Sequence, residues 1–469
     1  MKFRLQLITI QDNDQEQVQE LTELARTEEL RPETIGLTLA ESKQILKAMQ
    51  QAIIEKQVET YLVGQRSCAA CGQTLSRKGH HAIKLQTVFG KVTIGSPRLR
   101  RCACQPAAGP QSFSSLAQLL LERTTPERMY WETLFASLIS YGATAKLLAE
   151  VLPLDKQLHP TTIRPHLLQA AERCALALGA EQVIFVESCP RDWAELPIPD
   201  GPLTVGIDGG YVRAQRGGGW FEVIAGKSIL PFKRQEETKE PSSKCFGFVQ
   251  TYDAKPKRRL YELLKAQGRQ PNQQIIFLSD GGDDVRHLQL FLSPEAEHRL
   301  DWFHVTMRLT VLRQQTLGLK ALEEKQRQDL LEQIERVKHY LWHGNVFQAL
   351  QHIGFLQLDV DCLEEQTTKH KKLQQGVDEL LTYIQNNRAY IPNYGELYRC
   401  GETITTSFVE STVNQVVSKR LVKKQAMPWS PRGAHLLLQM RTKVLNNEWE
   451  DTFRRWYPAF RPASRSEAA

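Results

Sequence analysis

At 469 residues the chain exceeds one ordinary domain, and a count of about 2–4 domains follows from usual domain sizes. Its 41% apolar and 24% charged residues are those of a soluble globular protein, which excludes wholesale disorder, and no stretch approaches the ~20 apolar residues of a membrane span. The net charge of +7 is gathered at one end: from Ser411 onward there are 11 Lys+Arg against 4 Asp+Glu, so the rest of the chain is close to neutral. The amino terminus, MKFRLQLITIQDNDQEQ, turns polar at once and makes a poor signal peptide, so a cytoplasmic location with no membrane partner is expected.

Residues 1–62 read as a helical segment, an arm or packing helix. Thr38 and Glu41 form a capping box, with Ile45, Met49, Ala52 and Ile53 behind it at helical spacing. Residues 63–114 change character. Two strands turned near Phe89-Gly90 are flanked by Cys68-x2-Cys71 and Cys102-x-Cys104, the make-up of a zinc-ribbon-like domain in which four thiolates complete a tetrahedral structural Zn²⁺ site. His80 and His81 could substitute as ligands, and free thiols or a redox pair are the alternatives. The other cysteines of the nine are single and fit buried structural thiols.

Residues 115–182 return to helical periodicity. A helix over Ala143–Leu152, a break at Pro153 and Pro160, and a helix over Ile163–Cys174 capped by Thr161 resemble a helix-turn-helix or an ordinary helical hairpin. In the first case Arg164, on the second helix, contacts DNA. Residues 183–202 carry four prolines and read as a linker.

The next region runs strand (Leu203–Ile207), strand (Trp220–Ile229), strand (Cys245–Tyr252), helix (Lys257–Gln267), strand (Gln274–Ser279), a helical turn, and a strand near Arg299–Val305. This order fits an α/β RNase H-like topology over 203–305 and 400–445, in which the first and fourth strands lie side by side. Residues 306–399 are a helical insertion and 446–469 a basic tail, frayed over its last ten residues.

Asp208 and Asp280 each close an apolar run and are followed by Gly-Gly. The glycines after Asp208 would let a phosphate backbone approach. A plain turn aspartate is the alternative for either residue, and Asp283 and Asp284 compete with Asp280. Glu410 lies in a helix over Phe408–Leu421, shares a face with Asn414, and precedes Lys419, Arg420, Lys423 and Lys424, which can grip a phosphate backbone unless they form a solvated basic face. Three carboxylates so arranged suit two Mg²⁺ (or Mn²⁺) ions acting on a phosphodiester. In DWFH, read as a strand, Asp301 and His304 face opposite ways. His304 could orient a phosphate or a water while Asp301 holds it, or it is a structural histidine.

GIDGGYVR, LSDGGDDVR, DWFHV and VESTVNQVVSKRLVKKQAMPWSPRGAHLLLQMR together resemble the DDE transposases of bacterial insertion sequences, nearest in pattern to the ISKra group and its Mutator-like relatives. The resemblance covers most of the chain. It implies an RNase H-like core with a helical insertion before the glutamate, a catalytic triad of Asp208, Asp280 and Glu410, and an accessory pair Asp301 and His304. It further implies cleavage of double-stranded DNA at the element's terminal repeats, strand transfer into target DNA, and a homo-oligomer that synapses two ends. A nuclease of the same fold without strand transfer, and a non-catalytic DNA-binding regulator derived from a transposase, are the alternatives.

Overall fold

The computed structural model describes the chain apart from residues 11–14, 27–31, 33–34, 105–110, 155–157, 181–192, 194, 200, 231–242, 283–287, 289–295, 321, 364–366, 423–426 and 461–469. Lys423, Lys424, Asp283, Asp284, most of the expected linker and the last nine residues therefore lie outside the described residues. Two compact units divide the chain: Met1–Ala170 with Glu448–Ala469, and Ala171–Asn447. Among the described residues no helix is long and apolar enough to cross a membrane.

The first unit opens differently from the helical expectation. Lys2–Ile10 (β1) and Glu16–Ala25 (β2) form an antiparallel hairpin, and only Leu39–Gly64 is helical, with the capping box at Thr38 and Glu41 in place. KFRLQLITI alternates with a period of two, and that strand signal outweighs the helix-compatible composition. Arg77–Thr87 (β3) and Gly90–Arg100 (β4) form the second hairpin, joined at its edge by Ser112–Phe113 (β5). Ile83, Leu85, Val92 and Ile94 pack beneath Ile54 of the long helix.

Four helices follow: Ser115–Leu119, Pro126–Leu138, Tyr141–Val151 and Pro160–Ala177. The last starts before Thr161, so Thr161 lies in the first turn instead of capping it, and its N–H donates to His159 Nδ1. A proline at the first helical position is preorganised for helix, which moves the start forward. Nor is the stretch from 446 to 460 a solvated tail. Trp449–Trp456 is a helix whose Trp449 and Phe453 are buried against Tyr130, with rings 6.1 and 5.4 Å away.

The second unit holds a five-stranded sheet. Leu203–Arg213 (β6), Trp220–Ile229 (β7) and Ser243–Val249 (β8) form an antiparallel meander. Ile275–Ser279 (β9) pairs parallel with β6, and Glu297–Leu300 (β10) pairs parallel with β9. The order is thus β10-β9-β6-β7-β8. One face of β6, with Leu203, Val205 and Ile207, packs on Leu260 and Leu264 of the helix Pro256–Ala266.

The outer edge of β8 is closed by side chains. Asn446 pairs with the N–H and C=O of Cys245, Gln439 donates to Gly247 O, and His435 Nδ1 accepts from Val249 N. Alternate residues of an otherwise open edge are thereby satisfied by the helix Pro431–Leu445 and the residue after it. Between β10 and the last helices, Trp302–Leu317, Glu324–Trp342, Val346–Asp361 and Thr368–Asn387 share a core that includes Leu300 and Ile404.

Candidate acidic site and cysteine cluster

Asp208 does not end its strand, as its place after an apolar run had suggested: β6 continues to Arg213. It stands just past Gly206, the last residue of β6 that pairs with β9, so the neighbouring edge is open there. The even-numbered face of β6 carries Gly206, Asp208 and Gly210, and the helix Ser407–Val413 lies across it. A Cβ on Gly206 would overlap Val409 and stand 2.8 Å from Phe408 Cζ, and one on Gly210 would touch Val413 at 3.4 Å. Absence of side chains lets the helix sit flat on the strand. The space at Gly210 is filled by Val413 and Val417, and Gly209 faces the Glu222 carboxylate. The glycine pair therefore serves packing, in place of the expected approach of a phosphate.

Asp280 follows the last residue of β9, and its Oδ1 accepts from Gly282 N at 3.2 Å. Gly281 adopts φ +93°, a conformation that favours glycine, and a Cβ there would stand 2.8 Å from Asn387 Cγ. Tyr383 donates its hydroxyl to Asp280 O at 3.1 Å. Both Tyr383 and Asn387 belong to the fourth helix of the helical region, which thus buttresses the turn bearing Asp280. Nothing in the sequence marked Tyr383, because it sits in an ordinary amphipathic repeat.

DWFH is a strand-to-helix corner and not a strand. Asp301 caps the helix Trp302–Leu317 by accepting from Phe303 N at 2.9 Å, and His304 Nε2 lies 3.6 Å from Asp301 Oδ2. A carboxylate before three aromatic residues is as good a helix cap as a strand residue, and the cap wins here. Asp301, with no exposed surface, also accepts from Thr406 N at 3.1 Å and from the Thr406 hydroxyl. Thr406 is the residue from which the Glu410 helix starts. One buried carboxylate thereby fixes both His304 and the base of the helix bearing Glu410.

Burial raises the Asp208 carboxyl above its ordinary range. The Gly209 N–H and the His304 charge pull it down, and the like charges of Asp280 and Glu410 push it further up. Asp208, Asp280, Glu410 and His304 therefore share one electrostatic neighbourhood, with Asp280 and Glu410 exposed.

Asn414 keeps its place one turn from Glu410, its N–H bonding to Glu410 O. Beyond it, Asn414–Val422 is wound as a π-helix, with wider turns that shift the phase of later side chains. Lys419 stays exposed, but Arg420 is 1% exposed and stacks 5.4 Å from Trp429, so it is a core residue and not a contact for phosphate. Arg164 is exposed on its helix in the first unit.

The four cysteines converge. Their Sγ atoms lie within 4.8 Å of one another, with Cys68–Cys104 at 3.6 Å and Cys71–Cys102 and Cys71–Cys104 at 3.4 Å. Zn–S bonds of about 2.3 Å in a tetrahedron put sulfurs about 3.8 Å apart, so this set can hold such an ion. Gly72, at φ +72°, makes the first knuckle, and its N–H bonds to Cys68 O at 2.8 Å. N–H groups of Cys71 and Ala70 lower the Cys68 thiol to about 7, whereas the surrounding thiols, Cys71 foremost, raise Cys104 to about 12. Among the described residues this is the one group of three or more ligand-type side chains so close, and it includes neither His80 nor His81. Asp208, Asp280 and Glu410 do not form such a group. No protein-family model matches the chain, and no curated protein matches it.

Proposed function

We propose that the chain is a metal-dependent enzyme that cuts DNA at the ends of a mobile element and joins those ends to target DNA. Carrying this reading is the placement of Asp208 on the strand face covered by the Glu410 helix, beside the strand that leads into Asp280, with His304 tied to that helix through Asp301 and Thr406. Support also comes from the strand order, an antiparallel meander with the fourth strand beside the first, as an RNase H-like core requires.

The donor set fits hard cations, Mg²⁺ or Mn²⁺. Carboxylate oxygen is the ligand a hard divalent ion prefers, and Asp208, Asp280 and Glu410 supply it. Asp208, Asp280 and Glu410 would hold the ions. When bound, the ions supply a lowered pKa to the attacking hydroxyl and positive charge to the leaving 3′-oxygen.

The protein's own part is positioning. Gly209 N–H holds the Asp208 carboxylate, Asp301 aligns His304 with the Glu410 helix, and His304 is available to orient a phosphate or a water. In cleavage, the oxygen of water attacks phosphorus and the 3′-oxygen leaves with a proton. In joining, that 3′-hydroxyl attacks a target phosphodiester. One P–O bond replaces another each time, so no external energy is needed. Lys419 and Arg164 would contact DNA backbones, the cysteine cluster would hold a structural Zn²⁺, and two or more copies would hold paired ends.

The test is a donor plasmid carrying the inverted repeats that flank the reading frame, incubated with the purified chain and Mg²⁺. Donor ends joined to target DNA are expected. Cleavage without joined product would make the protein a nuclease, and binding without either would make it a regulator.

A further inference from the structure

Next to His304, the helices Trp302–Leu317 and Thr368–Asn387 leave a groove of about 420 Å³. Gly376 brings them together, since a Cβ there would stand 2.8 Å from Leu312 Cδ2. Arg308 lies one turn beyond His304 along one wall, and Lys372 faces the groove from the other. Arg308 is held in place, its guanidinium 4.0 Å from the centre of the Tyr383 ring. Among the described residues no carboxylate forms an ion pair with Arg308 or Lys372; the Glu379 carboxylate also lines the groove and accepts from Gln375 Nε2 at 2.8 Å. Met307 and Val311, 48% and 46% exposed, supply an apolar strip between the cations.

We propose that this groove is a phosphodiester subsite in which a nucleic-acid strand running from the acidic site lays its backbone on Arg308 and Lys372. It rests on the reading of the acidic site given above. Cations flanking an apolar strip match a strand with charged phosphates and apolar sugar and base faces. The subsite is coupled to the acidic site: Arg308 touches Tyr383, and Tyr383 holds the carbonyl of Asp280. A phosphate seated on Arg308 therefore bears on the turn that presents the second carboxylate.

The experiment measures anisotropy of labelled single-stranded and duplex oligonucleotides with the full chain, with Ca²⁺ in place of Mg²⁺, over a series of salt concentrations. Lys372→Glu should weaken binding about tenfold, Lys372→Gln should lower the slope of log affinity against log salt by about 1, and Lys338→Glu on the helix Glu324–Trp342 should change neither. Val311 replaced by a photo-crosslinking phenylalanine should yield a DNA adduct, and this arm decides the matter if Lys372→Glu does not fold. Binding by the wild type with unchanged Lys372 variants, or without the Val311 adduct, overturns the subsite alone. A wild type that binds neither oligonucleotide overturns the reading of the acidic site as well.

Discussion

A carboxylate without exposed surface needs partners for the lone pairs it presents, and Asp301 finds them in Phe303, Thr406 and His304. Asp301→Ala removes a helix cap and strands the buried Thr406 N–H together. We expect a loss of about 3 kcal/mol in urea unfolding of the second unit, with Asp301→Asn losing less because one acceptor remains. Equal stability of Ala and Asn variants would show that the Thr406 contacts carry no weight. Residue type and setting single out Asp208, Asp280, Glu410, Asp301 and His304 as candidates. Their contacts are not legible in the sequence, because a strand reading of DWFH sends Asp301 and His304 to opposite faces while a helix cap brings them within 3.6 Å. Burial of Arg420 is not legible for a similar reason: the π-helix that carries it has no sequence signature.

At the level of elements, the strand β6 and the Glu410 helix meet through glycine. Gly206→Ala should cost about 1–3 kcal/mol and displace Glu410, lowering Mg²⁺-dependent cleavage, because the new methyl overlaps Val409. Gly354→Ala is the contrast. It lies in the helix Val346–Asp361 with open space around it and should gain about 0.5–1 kcal/mol in the same unfolding assay. A glycine inside a strand is a visible mark of close approach, but sequence does not say what approaches.

The edge of β8 adds a pH dependence. Burial lowers His435 to about 4, with the Asp253 charge opposing and Arg259 assisting. The unfolded ring takes up a proton near its ordinary 6.5, so the unfolded state binds more protons between those values. Stability from this group is full above about 6.5 and is lost as pH falls toward about 4. Thermal unfolding should show that decline for the wild type and a flatter one for His435→Gln. Identical slopes would place the pH response elsewhere.

Across the whole molecule, the strand meander, the helical region and the paired cysteines were readable from periodicity and spacing. The β1–β2 hairpin departs from the helical expectation for residues 1–62 because alternation over the nine residues of β1 is a short signal beside the helical periodicity that follows. The docking of Trp449 and Phe453 on Tyr130 was missed because contacts across some 320 residues leave no local pattern. Cysteine ligation belongs to this scale, since one ion would tie the knuckle after the long helix to the end of β4. Chelation, or Cys71→Ser, should release about one zinc per chain to a colorimetric dye and lower the melting temperature of the first unit. Unchanged melting after complete removal would make the thiols free.

Asp208 is the centre of the proposed acidic site. With wild-type and Asp208→Asn chains compared on donor DNA in Mg²⁺, the variant should bind the element ends as tightly as wild type while both cleavage and strand transfer vanish. Cleavage by the Asn variant at the wild-type rate would contradict the assignment.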